Sequence, residues 1–189
     1  MEHTVTFAEF LDKESAKDGL SFPTLKREAI VHGHCHHKAI MRLKEEKSVM
    51  DKMGLDYRLL TSGCCGMAGS FGFEAEKYDV SVKIGERVLL PEVKKAGLRT
   101  LIIADGFSCK EQIQQQTNRH ALHLAEVMAL AQRHGKHGPE GIYPEAEMAE
   151  HRVREQKRSM LRAGIIAGAV LLGVGALAFW SRSRVNNLR

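Results

Sequence analysis

Four cysteines carry the chemistry open to this chain, and they fall in three short motifs. Cys35 sits in HGHCHHK, Cys64 and Cys65 in SGCCGMAG, and Cys109 in DGFSCKE. Soft thiolates select zinc, copper(I) or iron–sulfur clusters. Adjacent cysteines do not suit the C-x₂₋₄-C spacing of a zinc knuckle, whereas consecutive thiols can bind different atoms of a multinuclear cluster. Gly63, Gly66, Gly69 and Gly72 surround the pair. They free the backbone to turn tightly and to offer amide N–H groups to cluster sulfurs, a lever on redox potential. Zinc, a redox-active thiol and buried structural cysteine are the other readings of the same residues.

Thiols this far apart in sequence need a scaffold to gather them. Ala29 to His34, Tyr57 to Thr61 and Thr100 to Ala104 read as strands, and LIIA at Leu101–Ala104 is apolar without alternation, as a strand covered on both faces is. Lys38 to Met53, Glu74 to Ala96 and Glu111 to Gln132 read as helices, with Pro91 breaking the middle one. Strand and helix alternate, which predicts an α/β fold: a small three-layer domain with a short parallel sheet. Each cysteine motif follows a strand. In an open parallel sheet the loops at the carboxyl ends of neighbouring strands share one edge, where ligands bind. Three strands are few for an independent sheet, which predicts part of a larger unit or a chain that needs a partner.

The motifs HGHCHHKA, SGCCGMAGSFGFE and ADGFSCKEQI, followed by ALHLAEV, resemble the second half of the cysteine-rich CCG domain. That domain occurs in heterodisulfide-reductase-like and glycolate oxidase iron–sulfur subunits and in the iron–sulfur subunit of anaerobic glycerol-3-phosphate dehydrogenase. The wording resembles most the C-terminal end of fused FAD-linked oxidases acting on D-lactate or D-2-hydroxyglutarate. The resemblance spans about Val5 to Gln132. It implies an electron-transfer module in which Cys35, Cys64, Cys65 and Cys109 bind or surround an iron–sulfur cluster of the 4Fe–4S type. It also implies a flavin-containing dehydrogenase partner that holds the FAD, and the missing half of the CCG domain as a further partner. The family's closing CxxC is absent, because Lys110, Glu111 and Gln112 follow Cys109. No ferredoxin run and no flavin domain are present, so the hydroxy-acid chemistry lies outside this chain.

Other residues qualify for supporting roles. His34 or His36 could complete a metal sphere or pack around it; His32 and His37 flank them. Asp105, four residues before Cys109, could cap the helix that follows or accept a hydrogen bond from a histidine. Lys38 and Lys110 each lie close behind a cysteine and could lower a thiol pKa. His120 and His123 read as structural, and Phe71 and Phe73 as core. The GxxGxxG spacing of Gly66, Gly69 and Gly72 is not a dinucleotide fingerprint.

Charge divides sharply along the chain. Met1 to His151 carries 20 basic and 22 acidic side chains, whereas Arg152 to Arg189 carries eight basic and one acidic. The excess of +5 therefore belongs to the tail, and nucleic acid loses its support as a partner. Ala163 to Phe179 is 17 residues without charge, followed by Trp180. As a helix of about 26 Å it reads as a single membrane span with lipid as its partner. Its stronger basic flank predicts a cytoplasmic N-terminal domain, where thiols stay reduced. Gly164 and Gly168 would allow association through that helix. The expected organisation is a CCG-type half-domain at 1–133, a Gly/Pro linker at 134–144, and a charged juxtamembrane helix at 145–162. The transmembrane helix at 163–180 and a basic tail at 181–189 complete it.

Overall fold

The computed structural model describes residues 4–17 and 20–186, with side-chain surroundings given to residue 170. Among the described residues, eight α-helices and three strands follow in the order α1 (Phe7–Ser15), β1 (Glu28–Val31), α2 (Cys35–Met41), α3 (Lys44–Met53), β2 (Asp56–Leu59), α4 (Tyr78–Gly85), α5 (Leu89–Lys95), β3 (Leu101–Ile103), α6 (Phe107–Gln116), α7 (Leu124–His134) and α8 (Pro144–Asn186). The expected three-layer α/β class with an appended membrane helix is therefore corrected. The chain is mostly helical, with a small three-stranded sheet whose strands run only three or four residues each.

The sheet is parallel, ordered β2–β1–β3, with Ile30 opposite Arg58 on one side and Ile102 on the other. Successive side chains of a strand point to opposite faces, so the sheet serves two cores. Ala29, Val31, Leu101 and Ile103 join Val49, Met53, Val127 and Leu130 on one face. Ile30, Ile102 and Ala104 join Leu89, Val93, Ile113, Cys65 and Cys109 on the other. The cysteine loops are thereby part of the second core rather than an addition to it.

Local chemistry explains where the helices begin and end. Thr6 and Glu9 form a reciprocal capping box that starts α1. The helix expected over Lys38 to Met53 is two helices, because Arg42 and Leu43 both adopt left-handed backbone, with φ of 60° and 54°. The middle helix divides at Glu86–Val88, ahead of Pro91, which occupies the first turn of α5 where its missing N–H costs nothing. The last body helix divides into α6 and α7, and His123 with Glu126 caps the second. Phe73 is 57% exposed, which corrects its reading as core.

The chain separates into Met1–Ala149 and Glu150–Arg189. Within the first unit, Arg119 donates through Nε to Glu145 Oε1 and through Nη2 to Thr100 O, with both ion-pair partners buried. Within the second, Arg154–Glu150 and Arg158–Glu155 pair along one helical face.

The membrane expectation is overturned. Among the described residues no helix is long and apolar enough to cross a membrane. Charge continues along α8 to Arg162, and the described apolar stretch Ala163–Val170 covers about 12 Å against the roughly 30 Å of a hydrocarbon core. Residues 171–180 of the expected span lie outside those whose side chains are described. The transmembrane helix, its juxtamembrane lead-in and the single-pass location with a cytoplasmic domain are corrected accordingly. With them goes the basis for lipid as a partner and for association through Gly164 and Gly168.

Candidate functional site

Each thiol owes its place to a strand end. Cys35 opens α2 just beyond β1, and Cys109 lies in the first turn of α6, just beyond β3. Cys64 and Cys65 lie in the loop after β2, which folds against α4. Gly66, at φ +99°, makes that approach possible: a Cβ there would stand 2.0 Å from Ser81 O. Gly106 does the same for the third loop, where a Cβ would meet His34 Cδ2 at 2.7 Å and Cys109 Sγ at 3.1 Å. Gly69 N–H donates to Ser108 Oγ at 3.3 Å, tying the second loop to the third. Gly63 borders open space, since a Cβ there would meet nothing within 4 Å.

All four cysteines are free, and they form a run of neighbouring thiols. Cys35 contacts Cys64, Cys64 contacts Cys65, and Cys65 contacts Cys109. Exposure falls along the run, from exposed Cys35 through half-buried Cys64 to Cys65 at 3% and Cys109 at 1%. The Cys109 thiol donates to Cys65 and holds it down to about 6; the Met67 and Ala68 amides and the Cys64 thiol assist against burial. Cys109 is pushed far up by the contact with Cys65 and by burial. Burial also raises Cys64, partly offset by Gly66 N–H, which donates to Cys64 Sγ at 3.4 Å. Both lysines have partners other than the thiols. Lys38 donates to Ser62 O, and Lys110 pairs with Glu126 at 2.8 Å.

The histidines divide. His34 packs against the Gly106 loop, half-buried, whereas His36 is exposed with its ring 6.5 Å from that of His34. His32 is 2% exposed, its Nδ1 2.7 Å from Ser62 Oγ; burial, with Lys38 and His34 adding, pushes it down to about 4. His37 Nε2 lies 2.9 Å from Glu46 Oε1, in ion-pair contact but not in hydrogen-bond alignment. Burial raises the Glu46 carboxyl above its usual range. Asp105 does not cap α6. It accepts from Leu124 N at 2.9 Å at the start of α7, with His123 Nε2 at 4.0 Å from its other oxygen.

His32, His34, His37, Glu46 and Asp105 line a small cavity of about 20 Å³, room for one water. Sequence reasoning missed Glu46, Ser62 and Gly106. Glu46 lies in a KEEK run that reads as solvated surface, and only the partners of Ser62 and Gly106 reveal their roles. Among the described residues, no group of three or more His, Cys, Asp or Glu converges to hold a single metal ion. The thiols form a run rather than a point.

Comparison with known proteins finds similarity to dehydrogenases. The chain is 31% identical over 113 residues to the C subunit of anaerobic glycerol-3-phosphate dehydrogenase from Escherichia coli, covering 59% of this chain and 28% of that protein. It is 32% identical over 103 residues to D-2-hydroxyglutarate dehydrogenase of Pseudomonas putida, covering 53% of this chain and 10% of that protein. The corresponding dehydrogenase of Pantoea ananatis is 30% identical over 82 residues, covering 43% of this chain and 8% of that protein. These relatives are dehydrogenases or parts of them. The similar stretch takes in about half of this chain and less than a third of each relative. No family model matches the chain, and no solved structure matches it.

Proposed function

We propose that this chain is an iron–sulfur electron-transfer module associated with a flavin-dependent 2-hydroxy-acid oxidoreductase. The observation that carries the reading is the run of four neighbouring thiols at the carboxyl ends of the strands. The similarity to dehydrogenases supports the redox role. Cys35, Cys64, Cys65 and Cys109 would ligate a cluster of the 4Fe–4S type, with His34, His36 and Asp105 as accessory ligands or surrounding groups. Gly63, Gly66 and Gly69 shape the loop that carries the adjacent pair. A run of thiols without a point of convergence suits a multinuclear cluster better than one zinc ion, which demands tetrahedral ligands about a single centre.

The bound cluster would supply one-electron transfer. The chain's own residues prepare for it. The neighbouring Cys109 thiol and the Met67 and Ala68 amides favour the ionised form of Cys65, the form a metal takes, whereas burial and Cys65 oppose ionisation of Cys109. Leu60, Met67 and Ile113 pack around the inner pair and keep water from it, and hydrophobic surroundings tune potential. The module would occupy 1–133, and the flavin, the substrate and the second cysteine-rich half would lie on a partner. Electron paramagnetic resonance of the anaerobic, dithionite-reduced chain tests the reading. A cluster signal that disappears in Cys65→Ser is expected; a metal-free or zinc-only protein overturns it.

A further inference from the structure

A second cavity borders Cys64. It measures about 180 Å³ and lies between the loop Thr61–Cys64 and the turn joining α4 to α5. Ile84, Val88 and Leu89 give it an apolar wall, and Thr61 and Ser62 border it from the loop. One charged side chain lines it, Arg87. The nearest carboxylates in sequence are engaged elsewhere, Glu86 by Lys94 and Glu92 by Arg58. The Arg87 guanidinium makes no ion pair or side-chain hydrogen bond among the described residues. Gly63 leaves the entrance open, since it carries no side chain to narrow it.

An exposed cation and aliphatic walls lining one small cavity define an amphipathic guest. The space equals that of about six water molecules in the liquid, well below the size of a drug-like pocket. A planar guanidinium matches a carboxylate through two parallel N–H···O bonds. We propose that this cavity binds a short-chain monocarboxylate, its head on Arg87 and its alkyl stem against Ile84 and Leu89, beside Cys64. The argument uses Arg87 and the cavity wall and takes nothing from the identity of what the thiols bind.

Calorimetric titration of the anaerobically purified full chain with sodium butyrate, acetate and butylamine tests it, with iron and sulfide measured in the same samples. Saturable butyrate binding is expected, several-fold tighter than acetate and absent for butylamine. Arg87→Gln should weaken butyrate about tenfold or more while leaving iron content unchanged. Ile84→Phe, which adds bulk at the apolar wall, should weaken butyrate more than acetate. No saturable binding, equal affinity in Arg87→Gln, or equal binding of butylamine overturns the proposal. Absence of iron with these results intact would count against the cluster alone.

Discussion

The inner thiols, Cys65 and Cys109, and the outer thiols, Cys35 and Cys64, belong to one run yet are held in opposite ways. The inner pair is part of the second hydrophobic core, bonded to each other and to the amides of Met67 and Ala68. Cys35 stands exposed at the start of α2, a seven-residue helix with no buried residue and no side-chain cap, closed by two left-handed residues. Burial holds the inner pair in place before any cofactor arrives. Cys64 packs only partly against the same core, and Cys35 has least to hold it. A site held this unevenly need not show converged ligands beforehand.

The contrast breaks most visibly under serine replacement. Cys65→Ser or Cys109→Ser should remove nearly all iron and sulfide, whereas Cys35→Ser should retain a substantial fraction; equal losses would erase the distinction. Acid comes next, through His32, which ties β1 to the Cys64 loop by way of Ser62. Its folded pKa lies below the unfolded one, so the unfolded chain binds the proton first as pH falls. Stability held in full above about 6.5 should decline by about 3 kcal/mol on approaching pH 4. Denaturant unfolding across that range should show the slope, and His32→Gln should flatten it.

Loop substitutions probe the same contrast at smaller scale. Gly66→Ala must place a Cβ 2.0 Å from Ser81 O at a positive φ, and should cost about 1–3 kcal/mol or more in unfolding free energy. Gly63→Ala, on the open side, should stay within about 0.5 kcal/mol. Smallest is Arg42→Gly, which relieves a left-handed residue at the end of α2 and should stabilise by about 1 kcal/mol or less. Destabilisation there would show that Arg42 contributes contacts that outweigh its strain.

Much of the frame was legible in the sequence, and the failures have physical causes. The three strands were visible as apolar runs, and the cysteine motifs as strand-end loops. The break at Arg42 and Leu43 was not, because two left-handed non-glycine residues leave no compositional mark. The α7 start was hidden because histidine is an unusual cap, with Nδ1 accepting from Ala125 N at 3.1 Å. Phe73 looked like core because hydrophobicity alone does not say which face a 3₁₀ turn presents. The apolar run at 163–180 suggested a span, but α8 is charged through Arg162 and no described helix is apolar for long enough. The cavity behind His32 was beyond reach, since it depends on Glu46 being buried within a run of charges.

The most direct test of the central claim is metal analysis of the anaerobically purified chain. Iron, acid-labile sulfide and zinc would be measured beside the visible spectrum. Iron and sulfide in near-equal amounts with broad visible absorbance is the predicted result. Stoichiometric zinc without sulfide, or a protein free of metal after anaerobic reconstitution, would contradict it.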